Sequence, residues 1–432
     1  MRFTLEEIAR ATGGSAFGVP VAVDGATQDS RGVGDGMLFV PLVAERDGHD
    51  FIAAALDGGA VAYLTHQQAG PGSGVLVDDT GQALLDLART ARSRIAGPVV
   101  GVTGSVGKTS TKDLLAGALG TTFRTHASAK SFNNEIGVPL TLINAPDNVD
   151  AAVIEMGSRG IGHIATLCEI ASPTIGVITT VAAVHTGEFG TIDNVAIAKG
   201  ELVEALPEDG LAVLNADVPL VEQMRDRTSA EVLTFGANDA ADVRFSDVEV
   251  DAELRVRFRL DSPWGRLDVS PATRGAHLVP NAAAAAAVAL WLGTPPELVA
   301  SGLERAEMSP WRMELLPTRS GATIINDTYN ANPTSMKGAI DSLKAMPGIR
   351  KIAVLGYMGE LGDDERALHI EIARYARDRG IEVLSVGTEL YGVEPASDPI
   401  VAIGILERGD AVLVKGSRSA GLETVAAALA DA

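Results

Sequence analysis

From position 99 the chain reads as short apolar runs, at 99–102, 151–154, 175–179 and 211–214, each ending near glycine, threonine or an acid and giving way to a helical stretch. Strands that alternate with helices in this way predict a parallel sheet covered on both faces. Over 243–269 the pattern changes. Leu254-Arg255-Val256-Arg257-Phe258-Arg259-Leu260 alternates with period two and meets a turn at Asp261-Ser262-Pro263-Trp264-Gly265, which predicts antiparallel hairpins with one wet face. An alanine-rich apolar stretch over 282–292 follows; it falls short of the ~20 residues that span a bilayer and suits a close-packed internal helix. Beyond the Pro295-Pro296 turn, runs at 323–327, 351–355, 381–386 and 411–414 predict a second parallel sheet. Ahead of Pro98, runs such as Met37-Leu38-Phe39-Val40 and Val61-Ala62-Tyr63-Leu64 stand between glycine-rich turns and predict a small α/β unit.

The pattern therefore predicts an α/β protein of three units, 1–97, 98–308 and 309–432, in keeping with the length of 432 residues at roughly 150 per domain. The first unit contains no lysine at all, which sharpens its boundary. With 35 basic against 56 acidic residues the formal charge is −21, which disfavours a sequence-independent grip on nucleic acid or on an anionic membrane. A single cysteine, Cys168, excludes a disulfide framework and a multi-cysteine zinc site. The start, Met1-Arg2-Phe3-Thr4-Leu5-Glu6-Glu7-Ile8, carries acids where a signal peptide carries bases and an apolar run, so the expected location is the cytoplasm.

The strongest chemical signal lies where the first strand of the middle unit ends. Val99-Val100-Gly101-Val102-Thr103 runs into Gly104-Ser105-Val106-Gly107-Lys108-Thr109-Ser110 and then a helical pattern over 111–119. Strand, glycine-rich loop and helix in that order make a phosphate cradle: backbone N–H groups close on phosphate oxygens, Lys108 neutralises their charge, and the Thr109 hydroxyl can ligate Mg²⁺. The spacing departs from the common G-x-x-x-x-G-K-[ST] form, since Val102 stands where the first glycine would be. The chain has only eight lysines, and one stands where this loop demands it.

Mg²⁺ takes oxygen ligands, which a doubly wound sheet gathers at the C-terminal ends of its strands. Glu155 closes the run at 151–154 and is such a candidate; a solvated strand-end acid is the plainer reading. His185 lies on a loop beyond 175–179, where a histidine is more often structural or exposed than a ligand. Lys199 sits at a helical position among apolar and small residues, where a lone lysine usually snorkels to the surface.

Taken together, the segment from Thr103 to Thr109 with Glu155, His185 and Lys199, in this order and spacing, resembles the Mur ligases. The resemblance extends over all three units. Its most discriminating marks are Asn133-Asn134-Glu135-Ile136-Gly137-Val138-Pro139-Leu140-Thr141, Asn326-Asp327-Thr328-Tyr329-Asn330-Ala331-Asn332-Pro333 and Val414-Lys415-Gly416-Ser417-Arg418. It implies a uridine-nucleotide unit, a central P-loop ATPase-like unit and a Rossmann-like unit that closes over ATP. It further implies that Gly104, Ser105, Gly107, Lys108, Thr109 and Ser110 hold the ATP phosphates and the first Mg²⁺, that Glu155 and His185 complete the metal environment, and that Lys199 is carbamylated to ligate a second Mg²⁺. In the family a His-Asn-x-x-Asn segment contacts adenine. Here it reads His277-Leu278-Val279-Pro280-Asn281, so Asn281 is the implied contact and Leu278 supplies none; without the resemblance Asn281 reads as a helix N-cap.

The same resemblance places Arg312 near the phosphates, Asp327 on the ribose side, and Asn330 and Tyr329 near the reacting groups. Strand-end turn and domain packing are the plainer readings of Asp327 and Tyr329. Ser30 and Arg31, with Asp47, Gly48 and His49, match two recurrent uridine-nucleotide segments; as residues alone they read equally as exposed turns. Asn133 and Asn134 would orient the peptide end of the substrate. The double asparagine and Asn330-Ala331-Asn332-Pro333 favour the member that joins D-alanyl-D-alanine to UDP-N-acetylmuramoyl-tripeptide over the one that adds a diamino acid, for which an Asp-Asn-Pro-Arg segment is missing. Folylpolyglutamate synthases share the nucleotide machinery without the first unit, and the Asn-Lys-x-Asp motif of a GTPase switch is absent. The implied enzyme acts as a monomer.

Overall fold

A computed structural model describes residues 1–129, 131–182 and 189–431. Among these, the strands form a nine-stranded central sheet, a five-stranded sheet on each side of it in sequence, and a two-stranded ribbon near the N-terminus. In the central sheet Val99–Thr103 lies between Ala151–Glu155 and Ile175–Ile178, all parallel, and every residue of the three is buried. Such continuous Val, Ile and Ala runs are stable only where both faces are covered. Helices Lys108–Leu119, Val279–Trp291 and Pro296–Glu304 pack on one face; Gly137–Ile143, His163–Ala171 and Ile192–Glu204 pack on the other.

The hairpins fall where the alternation placed them. Val243–Val250 joins the parallel sheet through Glu231–Gly236, then Val256–Ser262 and Gly265–Val269 run antiparallel, with Ser262 facing Gly265 at the turn. Val256, Phe258 and Leu260 point into the core formed with the alanine helix, while Arg257 stays exposed. That helix, Val279–Trp291, is buried from Ala282 through Leu290, because alanine lets its backbone approach its neighbours from several sides. A closer approach occurs between Lys108–Leu119 and Pro296–Glu304. A Cβ at Gly302 would fall 2.5 Å from the Gly117 carbonyl oxygen, and one at Gly117 would fall 2.6 Å from that of Gly302.

The N-terminal sheet runs through Ser15–Phe17, Gly74–Leu76, Ala62–Thr65, Leu38–Phe39 and Ala26–Thr27. Strands of two to four residues bury little, and this unit is not self-contained. Helix Thr80–Ser93 presents Leu84, Leu87, Ala88 and Ala91 to Gly137–Ile143 and His163–Ala171, in one core continuous with the central sheet. The Asn144 side chain completes the junction, accepting from the Ala26 N–H at 2.8 Å and donating to its carbonyl at 2.9 Å. In the C-terminal unit Thr323–Asn326, Ala411–Lys415, Lys351–Leu355 and Glu382–Ser385 are parallel neighbours in that order, with Glu314–Pro317 antiparallel at the edge. Pro333–Ala345 and Glu365–Arg377 cover one face, Pro399–Ile403 and Glu423–Asp431 the other.

The Gly117–Gly302 crossing fixes the helix that carries the phosphate loop. Gly302→Ala forces two backbones apart and is expected to cost about 1–3 kcal/mol, as overpacking does. The check is the thermal unfolding midpoint, which should fall by several degrees; an unchanged midpoint would show that the helices separate freely.

Candidate active site between the central and C-terminal sheets

The chain leaves the buried strand at Thr103 through Gly104, whose φ of +150° and tight surroundings admit no side chain: a Cβ there would lie 1.9 Å from Thr179 Oγ1. Ser105 is tied down by its N–H to the Thr180 carbonyl at 2.8 Å and by its hydroxyl, which accepts from the Ala182 N–H at 3.0 Å. Gly107, at φ +89°, turns the chain into the helix, which begins at Lys108, one turn earlier than the sequence pattern indicated. No side chain caps this helix, so its first N–H groups face the loop and are available to an anion. Lys108 Nζ donates to the Gly104 carbonyl at 2.7 Å, back across the loop. Burial pulls its pKa down, opposed chiefly by the nearby Glu155 charge.

Glu155 ends the adjacent strand, 1% exposed. Its backbone N–H donates to Ser128 Oγ at 3.1 Å, and its Oε1 accepts from Asn133 Nδ2 at 2.8 Å. Among the described residues its buried Oε2 has no partner, an arrangement that costs free energy unless a cation or donor arrives. With the Thr109 hydroxyl on the next element, this oxygen fits an oxygen-seeking divalent ion. Lys112, one helical turn after Lys108 and 4% exposed, braces the same corner by donating to the Ser128 carbonyl at 2.8 Å.

Lys199 is 2% exposed on Ile192–Glu204, so it does not snorkel. No carboxylate pairs with it among the described residues, and burial, reinforced by the Lys108 charge, lowers its pKa well below that of an ordinary lysine. His185 lies outside the described residues. Asn281 is no N-cap: Leu278 holds that position, and Asn281 is the third residue of the helix, buried against the phosphate loop, with a hypothetical Gly107 Cβ 2.6 Å from its Oδ1.

From the C-terminal side Arg312 reaches across and donates from Nη2 to Thr109 Oγ1 at 2.8 Å, its guanidinium 4.3 Å from the centre of the Tyr329 ring. The flanking Trp311 and Met313 both hold left-handed backbone, φ +61° and +53°, at about 1–2 kcal/mol each for non-glycine residues. Asp327 Oδ1 accepts from the Met313 N–H at 3.2 Å, and its Oδ2 pairs with Lys415 Nζ at 2.6 Å. Phosphate loop, Asn133, Asn134, Glu155, Arg312, Asp327, Tyr329 and Asn330 together line a cavity of about 350 Å³, and Ser110 borders it as well. His277, also on its wall, packs against Gly338, and burial takes its pKa down to about 4, so the ring is neutral at pH 7.

The uridine candidates stand apart from that cavity, on the N-terminal sheet. Arg31, with its side chain 88% exposed, is bound in plane to Asp29, whose pKa falls to about 2 under that bidentate contact. Ser30 opens the same short 3₁₀ turn. Asp47 and His49 are bonded to each other, His49 Nδ1 to Asp47 Oδ1 at 2.6 Å, while Gly48 leaves room for the Leu42 backbone, 2.6 Å from where its Cβ would be. Arg31 projects into solvent while paired with Asp29, and Asp47 and His49 shape their loop.

This constellation has close counterparts. Residues 102–289 match the Mur ligase middle domain and residues 311–418 the Mur ligase, glutamate ligase domain. Over 99% of its length the chain is 34% identical to the UDP-N-acetylmuramoyl-tripeptide–D-alanyl-D-alanine ligase of Escherichia coli (strain K12), covering 98% of that protein. The chain belongs to the MurF family of Mur ligases. In structure it is similar to MurF from Acinetobacter baumannii, with a TM-score of 0.89 at 29% identity and 99% of both chains covered. MurF ligase from Thermotoga maritima in complex with ADP superposes with a TM-score of 0.81 at 28% identity, over 93% of this chain and 96% of that one. As a family member the chain is an ATP-dependent ligase of peptidoglycan precursor synthesis.

Residue types alone gave no role to Ser128, Lys112, Thr179 or Lys415; for Lys112 the scarcity of lysine was a signal, Lys415 stood in one of the discriminating segments of the resemblance, and both proved buried. The loop geometry yields a direct test. Gly107→Ala meets both a forbidden φ and the Asn281 side chain, so ATP affinity measured by titration calorimetry should drop roughly five- to thirty-fold, the equivalent of the 1–2 kcal/mol that a left-handed alanine costs. Retained affinity would show that the cradle does not need this backbone.

Proposed function

We propose that this protein joins D-alanyl-D-alanine to the terminal carboxylate of UDP-N-acetylmuramoyl-tripeptide, with ATP converted to ADP and phosphate. The observation that carries the reading is the shared cavity. A phosphate cradle, an unpartnered buried carboxylate oxygen and an arginine from a separate sheet converge on it, beside the paired Asn133 and Asn134. In this reading the chain divides at 1–97, 98–308 and 309–432, the first unit takes the uridine nucleotide through Ser30 and Arg31 with the Asp47–His49 loop, and Asn281 lies toward the adenine.

A carboxylate resists attack by an amine, so it must first be activated. Its oxygen attacks the γ-phosphorus of ATP, ADP leaves, and an acyl phosphate forms; the amine of the dipeptide then adds to the acyl carbon through a tetrahedral intermediate that expels phosphate. The protein's share of this chemistry is positioning and charge neutralisation. Lys108 and the uncapped helix N-terminus hold the β- and γ-phosphates, Asp327 and Asn330 face the nucleotide from the opposite side, and Tyr329 backs Arg312. Arg312 gives up its contact with Thr109 to the γ-phosphoryl group. Thr109 and Glu155, with His185, would hold Mg²⁺, which supplies further neutralisation of phosphoryl charge. The acidic balance and lone buried Cys168 suit a cytoplasmic protein without nucleic-acid or membrane partners.

Lys199 enters as a carbamate. Its low pKa keeps a fraction of the amine neutral, and the neutral amine is the nucleophile for CO₂: an N–C bond forms, a proton is lost, and an anion able to hold a second Mg²⁺ replaces a buried cation. Lys199→Ala should therefore lose nearly all ligation, recover part of it with added short-chain carboxylic acids, and lose the carbamate ¹³C resonance seen with labelled CO₂ in the parent. A free amine at Lys199 in active, magnesium-loaded protein would overturn the carbamate.

Substrate identity is tested by mass spectrometry of products when D-alanyl-D-alanine and free diamino acids compete as acceptors. The pentapeptide nucleotide is expected, formed only with ATP. A product carrying one added diamino acid, or nucleotide turnover without any ligation, would overturn the proposal.

A further inference from the structure

Lys415 closes the buried strand Ala411–Lys415 with a side chain 2% exposed, and its ammonium spends its hydrogen bonds on two points of one loop: Asp327 Oδ2 at 2.6 Å and the Asn330 carbonyl at 2.8 Å. The other oxygen of Asp327 accepts from the Met313 N–H at 3.2 Å, and the Tyr329 N–H, inside the same loop, donates to the Trp311 carbonyl at 3.2 Å. Both residues flanking Arg312 are thus held in left-handed backbone by bonds to the loop that Lys415 anchors. On the far side Asp113 Oδ2 takes the Ser309 N–H at 2.8 Å, so the segment 309–313 is gripped from the phosphate-loop helix as well.

We propose that Lys415 is a positioning residue: through Asp327 it holds the Trp311–Met313 backbone in the conformation that delivers the Arg312 guanidinium to the phosphate site. The inference rests on the reading of Arg312 as a phosphate-binding group, and it gives the Lys415–Asp327 pair work other than contact with the nucleotide. A buried ion pair seldom adds much stability over an apolar pair of the same size, whereas breaking one side leaves an uncompensated charge. Relaxation of residues 311 and 313 to ordinary backbone would swing Arg312 away, and displacement of a catalytic group by about 1 Å costs on the order of a hundred-fold in rate.

The test uses the full chain. Lys415→Met alone strands the Asp327 charge and destabilises the fold, so the informative protein is the double variant Lys415→Met/Asp327→Asn, in which no buried charge is left unpaired. Its unfolding midpoint should return close to the parent value while kcat stays lowered by about a hundred-fold and affinity for a non-hydrolysable ATP analogue falls. In an Arg312→Ala background the same pair of changes should weaken analogue binding by clearly less than in the parent, because the group they position is gone and only the contact of Asp327 itself with the nucleotide is lost. Parent-like kcat in the double variant, or an equal loss of affinity in both backgrounds, would overturn the positioning role. Parent-like affinity and turnover in Arg312→Ala alone would instead count against Arg312 as a phosphate ligand, so the two failures are told apart.

Discussion

At the end of the buried strand Val99–Thr103 the backbone has to leave a sheet packed on both faces and enter a helix within four residues, and steric room for that passage exists only if Gly104 and Gly107 carry no side chain. The rest of the structure follows from holding this turn open. Thr179 and Asn281 close around it, Gly117 and Gly302 seat its helix, and the alanine helix fills the space behind. A cap on the helix would have satisfied its first N–H groups and removed the phosphate site; leaving them free keeps a local positive potential in a chain with net charge −21.

Around that turn the protein accepts several unfavourable features at once. Among the described residues, a carboxylate oxygen is buried without a partner at Glu155 and an amine without a counter-ion at Lys199, and two non-glycine residues sit in left-handed backbone beside Arg312. Each carries a cost, and the one at Glu155 is offset when a cation or donor meets that oxygen. Glu155 and Arg312 converge on one cavity, between sheets far apart in sequence, an arrangement suited to neutralising phosphate charge.

The two peripheral units are attached in different ways. The N-terminal one shares a hydrophobic core with the central sheet and is clasped by Asn144, so it presents its uridine candidates from a fixed position. The C-terminal one has its own two-faced core, which takes in Leu254 and Leu278 of the central unit, and it also meets the centre through polar contacts, Arg312 with Thr109 and Ser309 with Asp113, together with the His277 ring against Gly338.

The sequence alone determined the elements and the cradle. Hydrophobic periodicity is a local property, so the parallel strands, the hairpin turn at Ser262–Gly265 and the alanine helix were legible, and the order strand, glycine loop, lysine and threonine specifies a phosphate site without knowledge of anything distant. Only the tertiary structure decided which charges are buried and what they touch. A lysine on an apolar helix reads as snorkelling until the neighbouring helices cover it, as they do at Lys199; Asp327 reads as a strand-end acid until Lys415, 88 residues later, arrives beside it; and Asn281 is moved from the helix start to the wall of the phosphate loop by Gly107. Burial and electrostatic partnership depend on which segments meet in space, and the local pattern of a chain carries no record of that.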